Sequence, residues 1–220
     1  MSKKTVILFG PPGCGKGTQA TFLSKILHVP VVPAGELLRR EMECGSPAGE
    51  SLSDIVRSGA LVPDDLVNGI VSRQLSGPEF HDGFVLDGYP RTVGQAAYLD
   101  SLLGRLRLPP PEVIVIEVPA APLIERLTAR QQCPSCGRSY NDRHWTPAHR
   151  GFCDDDGMAL VRRSDDVEPV IRERLRHYEE SSRPVLDYYD GRRLHRVDGT
   201  AAPGDVLEAI ETALALYAKA

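Results

Sequence analysis

Long apolar runs are absent. No stretch of the sequence approaches the ~20 consecutive apolar residues that a membrane span requires. A surplus of positive charge is absent too. Lys and Arg number 26 against 30 Asp and Glu, for a net charge of −4 and a pI near 5.9. That balance argues against a protein that holds nucleic acid by bulk charge, although local basic pockets remain compatible with it. The opening Met1-Ser2-Lys3-Lys4 runs straight into a short apolar strand and reads as no cleavable signal peptide. The expectation is a cytoplasmic protein. The five cysteines, Cys14, Cys44, Cys133, Cys136 and Cys153, make an odd count, which argues against a disulfide framework. Internal repeats and low-complexity tails are also missing.

What is present is enough to build a core without covalent staples: 220 residues, 41% of them apolar. Lys4 to Phe9 is a continuous apolar, β-branched run and predicts a buried parallel strand. Further strands are predicted at Val29–Val32, Phe84–Leu86, Val113–Val118 and Leu194–Val197. Helical spacing alternates with them at 18–28, in short pieces over 35–59, from Asp64 or Asp65 as a cap, and at 93–103, 122–130, 170–189 and 205–218. Alternating strands and helices imply a parallel α/β sheet. Residues 131–168 differ in composition and read as an inserted subdomain.

Gly10-Pro-Pro-Gly-Cys-Gly-Lys16-Gly-Thr18 follows the first strand and opens a helix. It matches G-x-x-x-x-G-K, with the hydroxyl residue one place late. Glycines let main-chain N–H groups curl around a polyphosphate, and the helix N-terminus adds positive dipole. Lys16 is suited to neutralise β- and γ-oxygens. Thr18 supports the loop or a metal, and Cys14 is a passenger whose backbone does the work. Asp87 ends an apolar strand at the edge where α/β ligands bind. It is a candidate to hold Mg²⁺ through water, with a turn cap as the competing role.

Cys133-Pro-Ser-Cys136-Gly137 has the C-x-x-C-G form of a metal knuckle. Cys153 and Asp156 repeat the spacing with a carboxylate in the last place. Together they predict a closed Cys₃Asp site, tetrahedral and structural, with Zn²⁺ as the metal. Asp154 and Asp155 compete for the fourth position, His144 and His149 less strongly. Three free thiols in a segment held by hydrogen bonds are the competing reading.

The loop Gly10–Gln19 resembles the phosphate loop of adenylate kinases. Asp87-Gly-Tyr-Pro-Arg91-Thr, with Gln95 following, resembles that family's acceptor motif. Arg163-Ser-Asp165-Asp166 with Arg174 resembles its lid-closing motif, and Asp198-Gly-Thr200 its adenine loop. The motifs stand in family order over nearly the whole chain. The resemblance implies a five-stranded parallel sheet with helices on both faces and transfer of the γ-phosphoryl of Mg-ATP to AMP, giving two ADP. It also implies a core of 1–33, 64–128 and 167–220, an AMP-binding segment at 34–63 and a lid at 129–166. The partners implied are ATP, AMP and ADP, in a monomer that needs neither nucleic acid nor membrane.

On the ATP side the resemblance implies Gly13, Cys14, Gly15, Lys16, Gly17, Thr18, Arg126, Arg130, Ser139, Tyr140 and Gly199. Arg126 and Arg130 are expected one helical turn apart on one face. On the AMP side it implies Ala34, Gly35, Arg39, Val62, Gly88, Arg91, Gln95, Arg163 and Arg174. Lys16, Asp87, Arg91, Arg126, Arg130, Arg163 and Arg174 form the expected catalytic set, since phosphoryl transfer rewards positioning and charge neutralisation. The Gln95 amide offers a donor and an acceptor to a base edge, and glutamine there accompanies adenine in the family. Two positions depart from the family pattern: Ala34 replaces a threonine and Asn141 a histidine. Tyr140 covers ATP or packs within the lid. Three rival readings stand beside this one: a nucleoside monophosphate kinase with another acceptor or donor, a zinc-bearing module that binds ATP without turnover, and a P-loop ATPase switch, for which the sequence offers no evident water-positioning residue or partner.

Overall fold

A computed structural model describes residues 4–43, 52, 55–57, 60–141, 146–191 and 193–215. Much of the predicted 35–59 helical region, Cys44, His144 and the end of the last predicted helix lie outside these residues.

The strands are β1 (Lys4–Phe9), β2 (Val31–Pro33), β3 (Gly83–Asp87), β4 (Glu112–Glu117) and, last in the chain, Leu194–Asp198. They form one parallel sheet in the spatial order β2, β3, β1, β4, Leu194–Asp198. Alternate residues of each strand feed opposite sides. Ile7, Phe9, Phe84, Leu86, Val113 and Val115 belong to one core cluster. Val6, Leu8, Val85, Ile114, Ile116 and Val197 belong to the other. Burial on both faces explains why these strands read as unbroken apolar runs. Helices Asp64–Leu75, Val93–Arg105 and Val185–Tyr189 cover the first face. Helices α1 (Lys16–Leu27), Ala120–Thr128 and Pro203–Ala213 cover the second. The predicted fold class is therefore observed.

Several boundaries differ for physical reasons. The helix after the glycine loop begins at Lys16, not 18, because Gly15 at φ 104° turns the chain directly into it. Pro63, not an aspartate, occupies the cap of the helix Asp64–Leu75. Asp64 and Asp65 lie in its first turn, where carboxylates complement the dipole. The helix predicted over 122–130 ends at Thr128, and Arg130 opens a short strand, Arg130–Gln132. That strand pairs antiparallel with Ser139–Asn141, which draws Arg130 out of the helix. Arg126 and Arg130 thus do not share a helical face. The single helix predicted over 170–189 is broken. Glu168–His177 leads into a π-turn at Tyr178–Ser182 before Val185–Tyr189 resumes. Pro184 supplies the reason. It has no N–H to donate and its ring crowds the preceding turn, so the ladder widens, with Arg183 N–H bonding Tyr178 O at 2.8 Å.

Among the described residues between Arg130 and the helix at Glu168, the buried hydrophobic cluster is Cys133, Tyr140 and Cys153, with Leu160 against it.

Candidate active site and metal centre

The loop after β1 sits at the carboxyl edge of the sheet, between β1 and its neighbours β3 and β4. Its glycines are there for space. A Cβ on Gly10 would lie 2.5 Å from Ile116 O, and one on Gly13 2.9 Å from the Leu127 side chain. Both have positive φ, 144° and 85°. The loop can therefore close only around glycine. Lys16 Nζ donates to Gly10 O at 2.8 Å and Pro11 O at 2.9 Å, which holds the ammonium over the loop. Asp87, last residue of β3, faces the same loop: a Cβ on Gly17 would stand 3.3 Å from its Oδ2. Cys14 is buried in the core beneath, and burial pushes its thiol up.

One cleft, about 930 Å³, opens from this loop. It brings together every predicted nucleotide-side residue. The phosphate loop (Gly13 to Thr18), Asp87 and Gly88 are lined up with Ala34, Gly35, Arg39, Val62, Arg91 and Gln95. Arg126, Arg130, Ser139, Tyr140, Arg163, Arg174 and Gly199 complete the wall.

The arginines are held by a small set of partners. Arg130 makes a fork with Asp166, its Nε at 2.6 Å from Oδ2. Arg163 makes a second fork with Asp165, at 2.9 and 2.7 Å. Arg174 bridges both acids, at 3.1 Å from each. Planar guanidinium groups suit such bidentate contacts. Burial opposes ionisation of Asp165, but Arg163 and Arg174 override it and hold the carboxyl at about 2. Arg174 is pushed down to about 10, first by burial and then by Arg130 and Arg163 beside it. Arg91 opens to the cleft, its Nε donating to Gly88 O at 2.9 Å. The enclosing walls, with Arg163 and Arg39 nearby, lower its guanidinium. Cations that depress one another's charge are positioned for an anion. Arg39 pairs with Glu36 one turn earlier, at 2.8 Å. Arg126 Nη1 donates to Gly199 O at 3.0 Å, which ties the last predicted loop to the wall.

Gln95 is 2% exposed and its amide is engaged on both sides. Oε1 accepts from Arg91 N–H at 2.7 Å, and Nε2 donates to Asp64 Oδ1 at 2.8 Å. Asp64 in this position was not legible from sequence, because the contact joins two helices far apart in the chain. Arg138 was missed as well. It lines the cleft, pairs with Asp155 and lies 5.5 Å over the Tyr140 ring.

The predicted metal ligands converge. One ligand atom from each of Cys133, Cys136, Cys153 and Asp156 lies within 4.8 Å of all the others. A tetrahedral zinc with ordinary bond lengths separates sulfurs by about 3.8 Å and a sulfur from an oxygen by about 3.5 Å. Here Cys136 Sγ and Cys153 Sγ are 3.5 Å apart, and Cys133 Sγ is 3.3 Å from Asp156 Oδ2. The donor set fits zinc. Two turns of the same design present the ligands. Cys133 and Cys153 each accept, through their carbonyls, an N–H from Gly137 and Gly157, and both glycines have positive φ. Gly157 after Asp156 mirrors Gly137 after Cys136, a sequence signal that supports Asp156 as the fourth ligand. The competing acids are engaged elsewhere: Asp154 accepts from Ala148 N–H at 2.8 Å, and Asp155 pairs with Arg138. The Met158 N–H helps hold Asp156 at about 2, so its carboxylate is ionised at neutral pH. Tyr140 packs against the centre. Its hydroxyl donates to Cys153 Sγ at 3.4 Å and accepts from Asp154 N–H at 2.8 Å, orienting a ligand from outside.

Among the described residues no helix is long and apolar enough to cross a membrane. The family model of adenylate kinase matches residues 8–194. The chain is 42% identical to the adenylate kinase of Thermotoga petrophila over 92% of its own length and 93% of the relative's. It is 42% identical to that of Moorella thermoacetica, covering 95% and 97%. To the adenylate kinase of Geobacter sulfurreducens it is 41% identical, covering 87% and 88%.

Proposed function

The chain belongs to the adenylate kinase family, and we propose that it reversibly transfers the γ-phosphoryl of Mg-ATP to AMP, giving two ADP. The observation that carries this reading is the single cleft in which a phosphate loop faces a cage of arginines. Phosphoryl transfer asks a protein for alignment and charge neutralisation rather than a nucleophile.

The residues divide by position. Gly13 to Thr18 wrap the donor phosphates with main-chain N–H groups, and Lys16 leaves its loop carbonyls to meet β- and γ-oxygens. Arg126, Arg130, Ser139, Tyr140 and Gly199 line the donor side. Ala34, Gly35, Arg39, Val62, Gly88, Arg91 and Gln95 line the acceptor side, with Arg39 and Arg91 on the AMP phosphate. Arg163 and Arg174 neutralise charge between the two. Ala34 brings no hydroxyl to the acceptor, so Arg39 and Gln95 carry more of its binding. Mg²⁺ on the donor phosphates supplies charge neutralisation, and Asp87, beside Gly17, is the carboxylate placed to hold it through water.

Residues 129–166 act as a lid and 34–63 as the acceptor segment, over a core of 1–33, 64–128 and 167–220. Closure excludes water, which would otherwise take the phosphoryl group. Cys133, Cys136, Cys153 and Asp156 would hold Zn²⁺, which would supply the lid with rigidity beyond that of its buried cluster. The protein works as a cytoplasmic monomer with ATP, AMP and ADP as its only required partners.

The test is phosphoryl transfer from Mg-ATP with AMP, GMP, CMP and UMP offered separately. AMP-dependent ADP formation with little turnover on the others is expected. Preference for another acceptor would overturn the reading of the acceptor pocket. ATP bound but never consumed with any acceptor would overturn the reaction.

A further inference from the structure

Gln95 lies between two groups that cannot exchange roles. A carboxylate only accepts hydrogen bonds and a main-chain N–H only donates. Asp64 Oδ1 accepts from Gln95 Nε2 at 2.8 Å, and Arg91 N–H donates to Gln95 Oε1 at 2.7 Å. Together they admit one orientation of the carboxamide. Asp64 is itself fixed: its Oδ2 accepts from the Thr92 hydroxyl at 2.6 Å. That hydroxyl in turn accepts from Gln95 N–H at 3.1 Å. The one proton of the Tyr89 hydroxyl is shared between Asn68 Oδ1 at 2.6 Å and Gln95 O at 3.2 Å, so the backbone of Gln95 is held as well. Both amide heavy atoms keep spare capacity, a second N–H and a second lone pair. Gln95 is one of the residues that line the cleft.

An amide held this way offers a donor beside an acceptor in a fixed order. That order complements adenine, whose N1 accepts and whose 6-amino group donates. A 6-oxopurine reverses both atoms, since N1–H donates and O6 accepts, and only the flipped amide would match it. Flipping would set the Gln95 carbonyl against the Asp64 carboxylate and the NH₂ against the Arg91 N–H. Both contacts would become repulsive and buried, and unpaired buried polar groups are what make a site selective.

We propose that Asp64 is a specificity-determining positioning residue: it locks the Gln95 carboxamide in the orientation that selects a 6-aminopurine acceptor over a 6-oxopurine. The proposal rests on the acceptor-side reading of Gln95 given above. It adds a residue that is remote in sequence and acts only through Gln95.

The experiment compares kcat/KM for AMP and for IMP, which differ at the reversed edge alone, in wild type, Asp64→Asn, Asp64→Glu and Gln95→Ala. Asparagine both donates and accepts, so the flip is no longer opposed at that end, although the Arg91 N–H still opposes it at the other. Asp64→Asn is expected to lower the AMP-to-IMP ratio by about tenfold, roughly the difference between a charge-assisted and a neutral hydrogen bond, with KM for ATP unchanged. Asp64→Glu keeps a group that only accepts and should hold the ratio within about threefold. If Asp64→Asn lowers kcat/KM for both acceptors by the same factor, Asp64 is merely structural and the proposal fails. If Gln95→Ala leaves the ratio at the wild-type value, the base-reading role of Gln95 fails instead. Should Asp64→Asn not fold, as judged by its melting curve, Asp64→Ser makes the same test, because serine also donates as well as accepts and suits a helix start.

Discussion

The phosphate-loop half and the cysteine-bearing segment, with its candidate metal site, solve the same problem with different means. Around the loop, position is set by apolar burial. Val6, Ile7, Leu8, Phe84, Val85, Leu86 and Val113 to Ile116 are all at most 1% exposed, and each such side chain contributes about 1.5–3 kcal/mol. Among the described residues between Arg130 and Glu168 the buried hydrophobic cluster is two cysteines and a tyrosine, and four candidate ligand atoms converge there. The first region should tolerate the loss of a cleft-lining cation without unfolding, because apolar burial carries most of its stability. The second depends on its polar groups for shape. A functional substitution near the loop should therefore damage rate alone, whereas one in the cysteine-bearing segment should damage stability first.

The largest effect separates these cases most sharply. Lys16→Ala and Arg91→Ala each remove a cation from the cleft while leaving the sheet intact. Turnover should fall by about a hundredfold to a thousandfold, with the melting temperature within a few degrees of wild type. Initial-rate kinetics and a thermal melt on the same preparations check it. A near-normal rate would remove the role given to that residue, and a collapsed melting curve would break the comparison.

Next comes the metal centre. Cys136→Ser removes one of four ligands from a segment with little else to hold it. The melting temperature should drop by about 10 °C, the scale expected when a few kcal/mol are lost from a chain of this size. Turnover at low temperature should change less than the melt does. Metal analysis of wild type purified without chelator should find about one zinc per chain. Less than half an equivalent, or an unchanged melt in the variant, would overturn the idea that ligation substitutes for burial.

The two regions also differ in how far they could be read in advance. The loop was legible because its glycines are required at fixed spacing between an apolar strand and a helix, and no tertiary knowledge enters. The convergence of the four candidate ligands was legible because both pairs carry their own turn, Cys-x-x-Cys-Gly and Cys-x-x-Asp-Gly. What escaped depends on contacts distant in sequence. Arg130 left its predicted helix because Gln131 and Gln132 pair with Tyr140 and Ser139. Asp64 reads locally as a helix start, and only the packing of two helices brings it to Thr92 and Gln95. The π-turn at Tyr178–Ser182 had a visible cause in Pro184, yet the apolar spacing across it is that of an uninterrupted helix.

The smallest effect tests the seam where the two regions meet. Asp165 belongs to the cysteine-bearing segment by sequence, but its partner Arg174 stands on the helix Glu168–His177 of the sheet domain. The pair is well shielded, with side-chain exposures of 13% and 17%, so solvent screening removes little of it. The folded carboxyl lies at about 2, below its ordinary 3.8: burial opposes ionisation, and Arg163 in its own segment, followed by Arg174 across the seam, overrides it. A depressed acid stabilises the folded state above its unfolded pKa, and the contribution is lost as pH falls through the folded value. The displacement corresponds to on the order of 2 kcal/mol. Asp165→Asn should therefore be less stable than wild type by about that amount at pH 7. The gap should narrow as pH drops below about 4, because unfolded wild type then binds a proton at this group while the folded carboxyl, at about 2, does not. Urea unfolding of both proteins at pH 7, 5 and 3 measures it. A gap independent of pH would mean that the substitution acts through shape alone. A gap that narrows while Cys136→Ser keeps its own deficit at every pH would show the seam and the metal centre to be separate devices, the first electrostatic and the second coordinative.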